Sequence, residues 1–70
     1  MKDFTEEEYA MALKICRNID RISLSAIQRG MRIGYVKASL IIEEMGSRGE
    51  AERVEPDGTW FLKEAKHEGG

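Results

Sequence analysis

A chain of 70 residues has room for at most one domain, and its 41% hydrophobic and 34% charged residues allow a small core in a soluble chain. No run of the sequence approaches ~18 apolar residues, so no membrane span is predicted. The single cysteine excludes an internal disulfide framework, and one cysteine with one histidine forms no strong zinc site within one chain. The first ten residues are acidic and lack the basic and apolar regions of a signal peptide, so we expect a cytoplasmic protein without a cofactor.

The first predicted helix spans residues 6–18. Thr5 and Glu8 have the spacing of a capping box, and Phe4 and Tyr9 have that of a hydrophobic staple, so both patterns place the helix start just after Thr5. Helical periodicity predicts a buried stripe along this helix, including a buried thiol. The stripe comprises Tyr9, Ala12, Leu13, Cys16 and Ile19.

The second predicted helix covers residues 24–30. Ile22 is expected to form a short extended strand that enters the core, and Ser23 has the side chain of an N-cap. Ile27 and Met31 are predicted to pack inward. The motif "MRIG" then forms the turn into the next helix.

The third predicted helix covers residues 35–47 and ends before Gly49, which suits a left-handed position after a helix. Periodicity of about 100° per residue predicts one buried stripe along it. That stripe comprises Ala38, Ile41, Ile42 and Met45. The same periodicity places Val36 and Leu40 on the opposite, exposed side, where two apolar residues one turn apart are unusual for a helix without a partner.

The chain changes to a two-residue period after the third helix. The segments 51–54 ("AERV") and 59–63 ("TWFLK") alternate, and "EPDG" between them supplies Pro and Gly at turn positions, so a β-hairpin is predicted. Together the elements predict an α+β fold, a small winged helix-turn-helix of three helices with a C-terminal β-hairpin wing. The predicted domain is 1–63, followed by a disordered tail, 64–70.

Charge is distributed unevenly along the chain. Residues 14–37 contain six basic residues and one acidic residue, a net charge of +5, whereas the rest of the chain carries −7. A basic segment in an acidic chain is typical either of a phosphate-binding surface or of an ordinary solvated face. The candidates for phosphate contact surround the second helix and the turn after it: Ser23, Ser25, Arg29, Arg32, Tyr35 and Lys37.

The segment "SLSAIQRGMRIGYVKASLIIEEM" resembles the gamma domain of the bacterial DNA translocase FtsK, whose members have a Ser-x-x-x-Gln-Arg helix and an Arg-Ile-Gly-Tyr turn. The matching residues are Ser23, Ser25, Gln28, Arg29, Arg32, Ile33, Gly34, Tyr35, Ala38, Ile42 and Met45. The resemblance is dense over residues 21–45 and implies a winged helix that recognises short, G-rich, oriented duplex sequences. Such sequences load and direct the translocase on the chromosome. The resemblance also implies contact with a tyrosine recombinase that resolves chromosome dimers.

The chain departs from that family at positions that the resemblance places in the DNA groove. Val36 replaces the family's Asn, Leu40 replaces an Arg, and Lys37 stands where another Arg is found. Since Arg contacts guanine through two hydrogen bonds that Leu cannot make, we expect an altered sequence preference. These three residues are expected to contact either bases or a partner protein, while Arg48 and Arg53 are expected to contact the DNA backbone from the wing.

Two functions stay open from the sequence. The resemblance and the basic segment favour a duplex DNA-binding module with residues 35–47 in the major groove, whereas the overall acidity favours a winged helix that binds protein through an apolar patch at Val36 and Leu40. No catalytic or metal-binding arrangement is predicted, so neither an enzyme nor a small-molecule substrate is expected. The chain is either an excised domain of a larger translocase or a free-standing protein.

Overall fold

Three helices and a two-stranded hairpin make up the fold. The computed structural model describes residues 3–63, so the predicted tail, 64–70, lies outside the described residues. The elements are α1 (Glu6–Ile19), α2 (Leu24–Met31), α3 (Tyr35–Ser47), β1 (Ala51–Val54) and β2 (Thr59–Leu62). The strands are antiparallel, with Ala51 opposite Leu62 and Val54 opposite Thr59. The predicted α+β arrangement of three helices followed by a hairpin is confirmed, and none of the described helices is long and apolar enough to cross a membrane.

The start of α1 has the predicted capping box. The Glu8 amide donates to Thr5 Oγ1 at 3.0 Å, and the Thr5 amide donates back to Glu8 Oε1 at 2.9 Å. Phe4 stacks on Tyr9 with ring centroids 6.4 Å apart. The hydrogen bond from the Thr5 amide, followed by that from Lys37, lowers the pKa of the Glu8 carboxyl below its usual value. Short-range sequence signals therefore fix this helix end as expected.

Each helix ends where the chain enters a left-handed conformation. Gly49 follows α3 with φ of 81°, and the amides of Gly49 and Glu50 donate to the carbonyls of Gly46 and Met45, which is a Schellman motif. Asp20 adopts φ of 60° after α1. The chain then turns directly into α2, so the short strand predicted at Ile22 is absent from the described residues.

The core lies where α1, α2 and α3 meet the base of the hairpin. Its buried residues are Tyr9, Ala12, Cys16, Ile27, Ala38, Ile41, Ile42, Met45 and Ala51. The predicted buried stripe of α3 is confirmed. The Cys16 thiol of α1 is buried as predicted, and this burial raises its pKa. The expectation that Ile19 is buried is wrong, because α1 ends there with 40% of this side chain exposed, and Ile22 beyond the turn packs against the core. Leu13 and Met31 are only half-buried.

The hairpin rests on α3 through Trp60. A Cβ atom at Gly46 would lie 2.6 Å from Trp60 Cη2 and 2.7 Å from its Cζ3, so the indole contacts the helix where no side chain intervenes. Leu62, two residues further along β2, also packs against the core. Gly46 therefore sets how closely the hairpin approaches the helices.

Replacing Gly46 with alanine is expected to lower the free energy of unfolding by about 1–2 kcal/mol. Overpacking against the rigid indole outweighs the gain of about 1 kcal/mol in helix propensity. Gly30→Ala is the matched control, because its added Cβ meets only the flexible end of Ile15, with Cδ1 at 2.7 Å. Urea unfolding of both variants tests this, and equal stability would contradict a tight contact between Gly46 and Trp60.

Candidate nucleic-acid interface

Arg32 occupies an unusual backbone position in the turn between α2 and α3. Its φ is 57°, and its amide donates to the Gln28 carbonyl, so it closes α2 in a left-handed conformation. For a residue with a Cβ this conformation costs about 1–2 kcal/mol, a cost that glycine does not bear. Because the Arg32 side chain is exposed, the core does not require it. The left-handed conformation of Arg32 ends α2 as that of Asp20 ends α1, and it holds an exposed arginine in the turn before α3.

The basic segment divides into paired and unpaired cations. Arg17 Nη2 lies 2.8 Å from Glu50 Oε1, and Lys37 Nζ lies 3.1 Å from Glu8 Oε2. Within residues 3–63, the other four basic residues of the segment have no ion-pair partner: Lys14, Arg21, Arg29 and Arg32. Two of these, Arg29 and Arg32, lie at the end of α2 and in the turn that follows it. The free positive charge is thus concentrated beside the start of α3.

Lys37 lies against α1. Its ammonium group donates to Glu8, a residue 29 positions away that also belongs to the capping box. The acidic first turn of α1 therefore neutralises Lys37 in the fold, a pairing that the sequence did not indicate. Whether Lys37 contacts a base stays a prediction, and such a contact requires the pair with Glu8 to open.

Arg48 also joins α3 to α1. As the C-cap of α3, it precedes the hairpin and donates to both carboxylate oxygens of Glu6 and to Glu44 Oε2. Its guanidinium carbon lies 4.1 Å from the centre of the Tyr9 ring, and the carboxylate of Glu6, followed by that of Glu44, raises the pKa of Arg48. The predicted placement of Arg48 in the wing is therefore wrong. A contact of Arg48 with the DNA backbone stays a prediction, and it requires the pairs with Glu6 and Glu44 to open.

The exposed side of α3 begins with Tyr35 and Val36, which are 62% and 68% exposed. Leu40 is half-buried, so the expectation that it is as exposed as Val36 is wrong. The reason lies in its helical neighbours: Lys37 and Glu44 are three and four residues away, on the same flank. Lys37 pairs with Glu8 of α1, and Glu44 pairs with Arg48 at the end of α3.

Ser23, Ser25 and Arg53 lie on either side of this surface. Ser23 is the predicted N-cap, and its Oγ accepts from the Ala26 amide at 3.2 Å, whereas Ser25 is exposed. Arg53 lies on the hairpin as expected, with its guanidinium 5.5 Å from the Trp60 ring and its Nε donating to the Gly58 carbonyl. Their contacts with phosphate stay predictions.

An open groove of about 380 Å³ separates α3 from the hairpin. Its lining includes Tyr35, Ser39 and Glu43 on α3, and Arg53 and Trp60 on the hairpin. The acidic Glu43 faces this groove, so the positive charge of Arg53 is offset locally.

Arg21 was not among the residues singled out from the sequence, although it is exposed and unpaired in the turn before α2. Its place two residues before the N-cap Ser23 is the signal in the sequence that points to it. Among residues 3–63, no group of three or more His, Cys, Asp or Glu side chains could hold a metal ion.

The fold and the charged turn together define a small α+β domain that presents the N-terminal end of one helix beside unpaired arginines. The sequence model of the FtsK gamma domain matches residues 3–52. The chain therefore belongs to the FtsK gamma domain family.

Relatives of this chain include large DNA translocases. It is 40% identical over 48 residues to the DNA translocase FtsK of Lactiplantibacillus plantarum, a match that covers 69% of this chain and 6% of that protein. It is 46% identical over 41 residues to the DNA translocase FtsK of Rickettsia typhi, which covers 59% of this chain and again 6% of the relative. The matched region thus spans only about 6% of the length of these relatives.

Proposed function

We propose that the domain is a winged helix-turn-helix that binds duplex DNA in the cytoplasm, with α3 in the major groove. The observation that carries this proposal is the pair of arginines at the turn into α3, Arg29 and Arg32, which have no ion-pair partner in the described part of the chain. A recognition helix needs such phosphate contacts at its start, because they hold it in register with the bases. Membership of the FtsK gamma domain family, whose matching relatives are named DNA translocases, supports DNA as the partner. A tyrosine recombinase as a second partner is part of the same proposal.

The geometry limits how many phosphates the domain can neutralise. Arg17, Lys37 and Arg48 are held in ion pairs, so they are not available without losing those contacts. Arg29 and Arg32 are free, and Arg21 and Arg53 lie on either side of them along the chain. We therefore propose an interface with two to four phosphate contacts.

The affinity for duplex DNA is expected to fall with salt concentration, with a log–log slope of about −2 to −4. Fluorescence anisotropy with a labelled duplex at several salt concentrations measures this slope. A slope near zero, or no binding at low salt, would contradict the proposal. A slope steeper than about −6 would show that the paired cations are released on binding.

The alternative of a protein-binding winged helix has weaker support in the structure. Its apolar patch required both Val36 and Leu40 to be exposed, and only Val36 is. The half-burial of Leu40 leaves the patch without its second exposed member one turn along α3.

A further inference from the structure

The exposed side of α3 lacks the side chains that read guanine or adenine. Guanine is usually read by the paired donors of Arg or Lys, and adenine by the amide of Asn or Gln. The segment Tyr35–Ser47 contains neither Arg, Asn nor Gln, and its single Lys is bound to Glu8. Arg48 at its end is bound to Glu6 and Glu44. Two-point hydrogen bonding to a purine is therefore not available from this helix in the observed arrangement.

Val36 is instead the most exposed of the large apolar side chains within residues 3–63, at 68%. It lies in the first turn of α3, the part of a recognition helix that reaches the base edges. Arg32 lies four residues before it in the chain, and Arg29 lies at the end of α2; within residues 3–63 neither arginine has an ion-pair partner, so unpaired positive charge precedes the start of α3. This charge favours a polyanion as the occupant of the surface, and the apolar side chain of Val36 fits an apolar feature of that polyanion.

The apolar feature of the major groove is the 5-methyl group of thymine. We propose that Val36 contacts one thymine methyl group and so gives the domain a preference for a T·A pair at that position. This inference rests on the proposed function, since it assigns the sequence preference of the same surface. Burying one methyl group changes an affinity by about fourfold, which is the size of the expected preference.

The test removes the methyl group and nothing else. A duplex selected by the wild-type domain from a randomised pool is remade with each thymine replaced in turn by deoxyuridine. We expect one replacement to weaken binding about fourfold and the others to have little effect. At the sensitive position, 5-methylcytosine paired with guanine should bind more tightly than cytosine paired with guanine.

Two variants test whether the Val36 side chain makes the contact with the thymine methyl group. Val36→Ala should bind the thymine and deoxyuridine duplexes equally. Ser47→Ala is the matched control, because Ser47 is exposed on the same helix about 16 Å further along, and it should retain the fourfold difference. If no deoxyuridine replacement weakens binding, or if Val36→Ala keeps the difference, the inference is overturned while DNA binding stands. If no duplex is retained from the pool at all, the proposed function fails and the inference fails with it.

Discussion

Replacing Arg32 with glycine is expected to stabilise the domain and weaken its binding to DNA. Glycine relieves the left-handed backbone at this position, so the free energy of unfolding should rise by about 1 kcal/mol. The same change removes a charged hydrogen-bond donor, so duplex affinity should fall about tenfold for every sequence. The salt slope should decrease in magnitude by about one. Thermal unfolding and anisotropy titrations measure the two effects separately.

Two further variants separate charge from backbone. Arg32→Ala should weaken DNA binding as much as Arg32→Gly does, but it should not raise the free energy of unfolding. Alanine has a Cβ atom, so it bears the same steric cost as arginine in the left-handed conformation. Lys63→Ala is the control, because it removes one exposed charge far from the turn. The Lys63 amide donates to the carbonyl of Glu50, which follows the C-terminal end of α3, so Lys63 lies about 20 Å from the start of that helix. It should bind like the wild type. Equal binding by Arg32→Gly and the wild type would show that the turn is not a phosphate contact.

Replacing Tyr9 with phenylalanine is expected to raise the free energy of unfolding by about 1 kcal/mol. The Tyr9 hydroxyl is buried and has no hydrogen-bond partner within residues 3–63, so removing it relieves the cost of desolvation while the ring keeps its packing. Tyr35→Phe is the matched control, because this tyrosine is 62% exposed, and its stability should stay within about 0.5 kcal/mol of the wild type. A loss of stability in Tyr9→Phe would show that the hydroxyl makes a favourable contact.

The two tyrosine variants also differ in their dependence on pH. Burial raises the pKa of Tyr9 in the folded protein, so the unfolded chain loses this proton first as the pH rises through about 10. The contribution of Tyr9 to the free energy of unfolding therefore decreases as the pH rises above about 10. Tyr9→Phe should lack this contribution and Tyr35→Phe should retain it, as measured by urea unfolding from pH 8 to 11.

The local parts of the fold were predictable because their signals lie close together in the sequence. Thr5 and Glu8 marked the start of α1, Gly49 marked the end of α3, and "EPDG" marked the hairpin turn. The buried stripe of α3 followed from helical periodicity alone. Each of these signals depends on residues within one or two turns of each other.

The site was less predictable because it depends on contacts between distant residues. Lys37 and Arg48 pair with Glu8 and Glu6, which lie 29 and 42 positions away, and no local pattern indicates such pairs. The sequence identified the basic segment but could not show which of its charges are neutralised within the fold.

The ion pairs between α1 and α3 make the remaining charge of the molecule uneven. The acidic first turn of α1 neutralises Lys37 and Arg48, while Arg29 and Arg32 have no ion-pair partner within residues 3–63. With a net charge of −2, the domain as a whole repels a polyanion, and its unpaired basic side chains locally oppose that repulsion. Under the proposed DNA-binding function, this uneven charge favours approach to DNA through the unpaired arginines over other orientations, so the charge distribution orients the domain before a base is contacted.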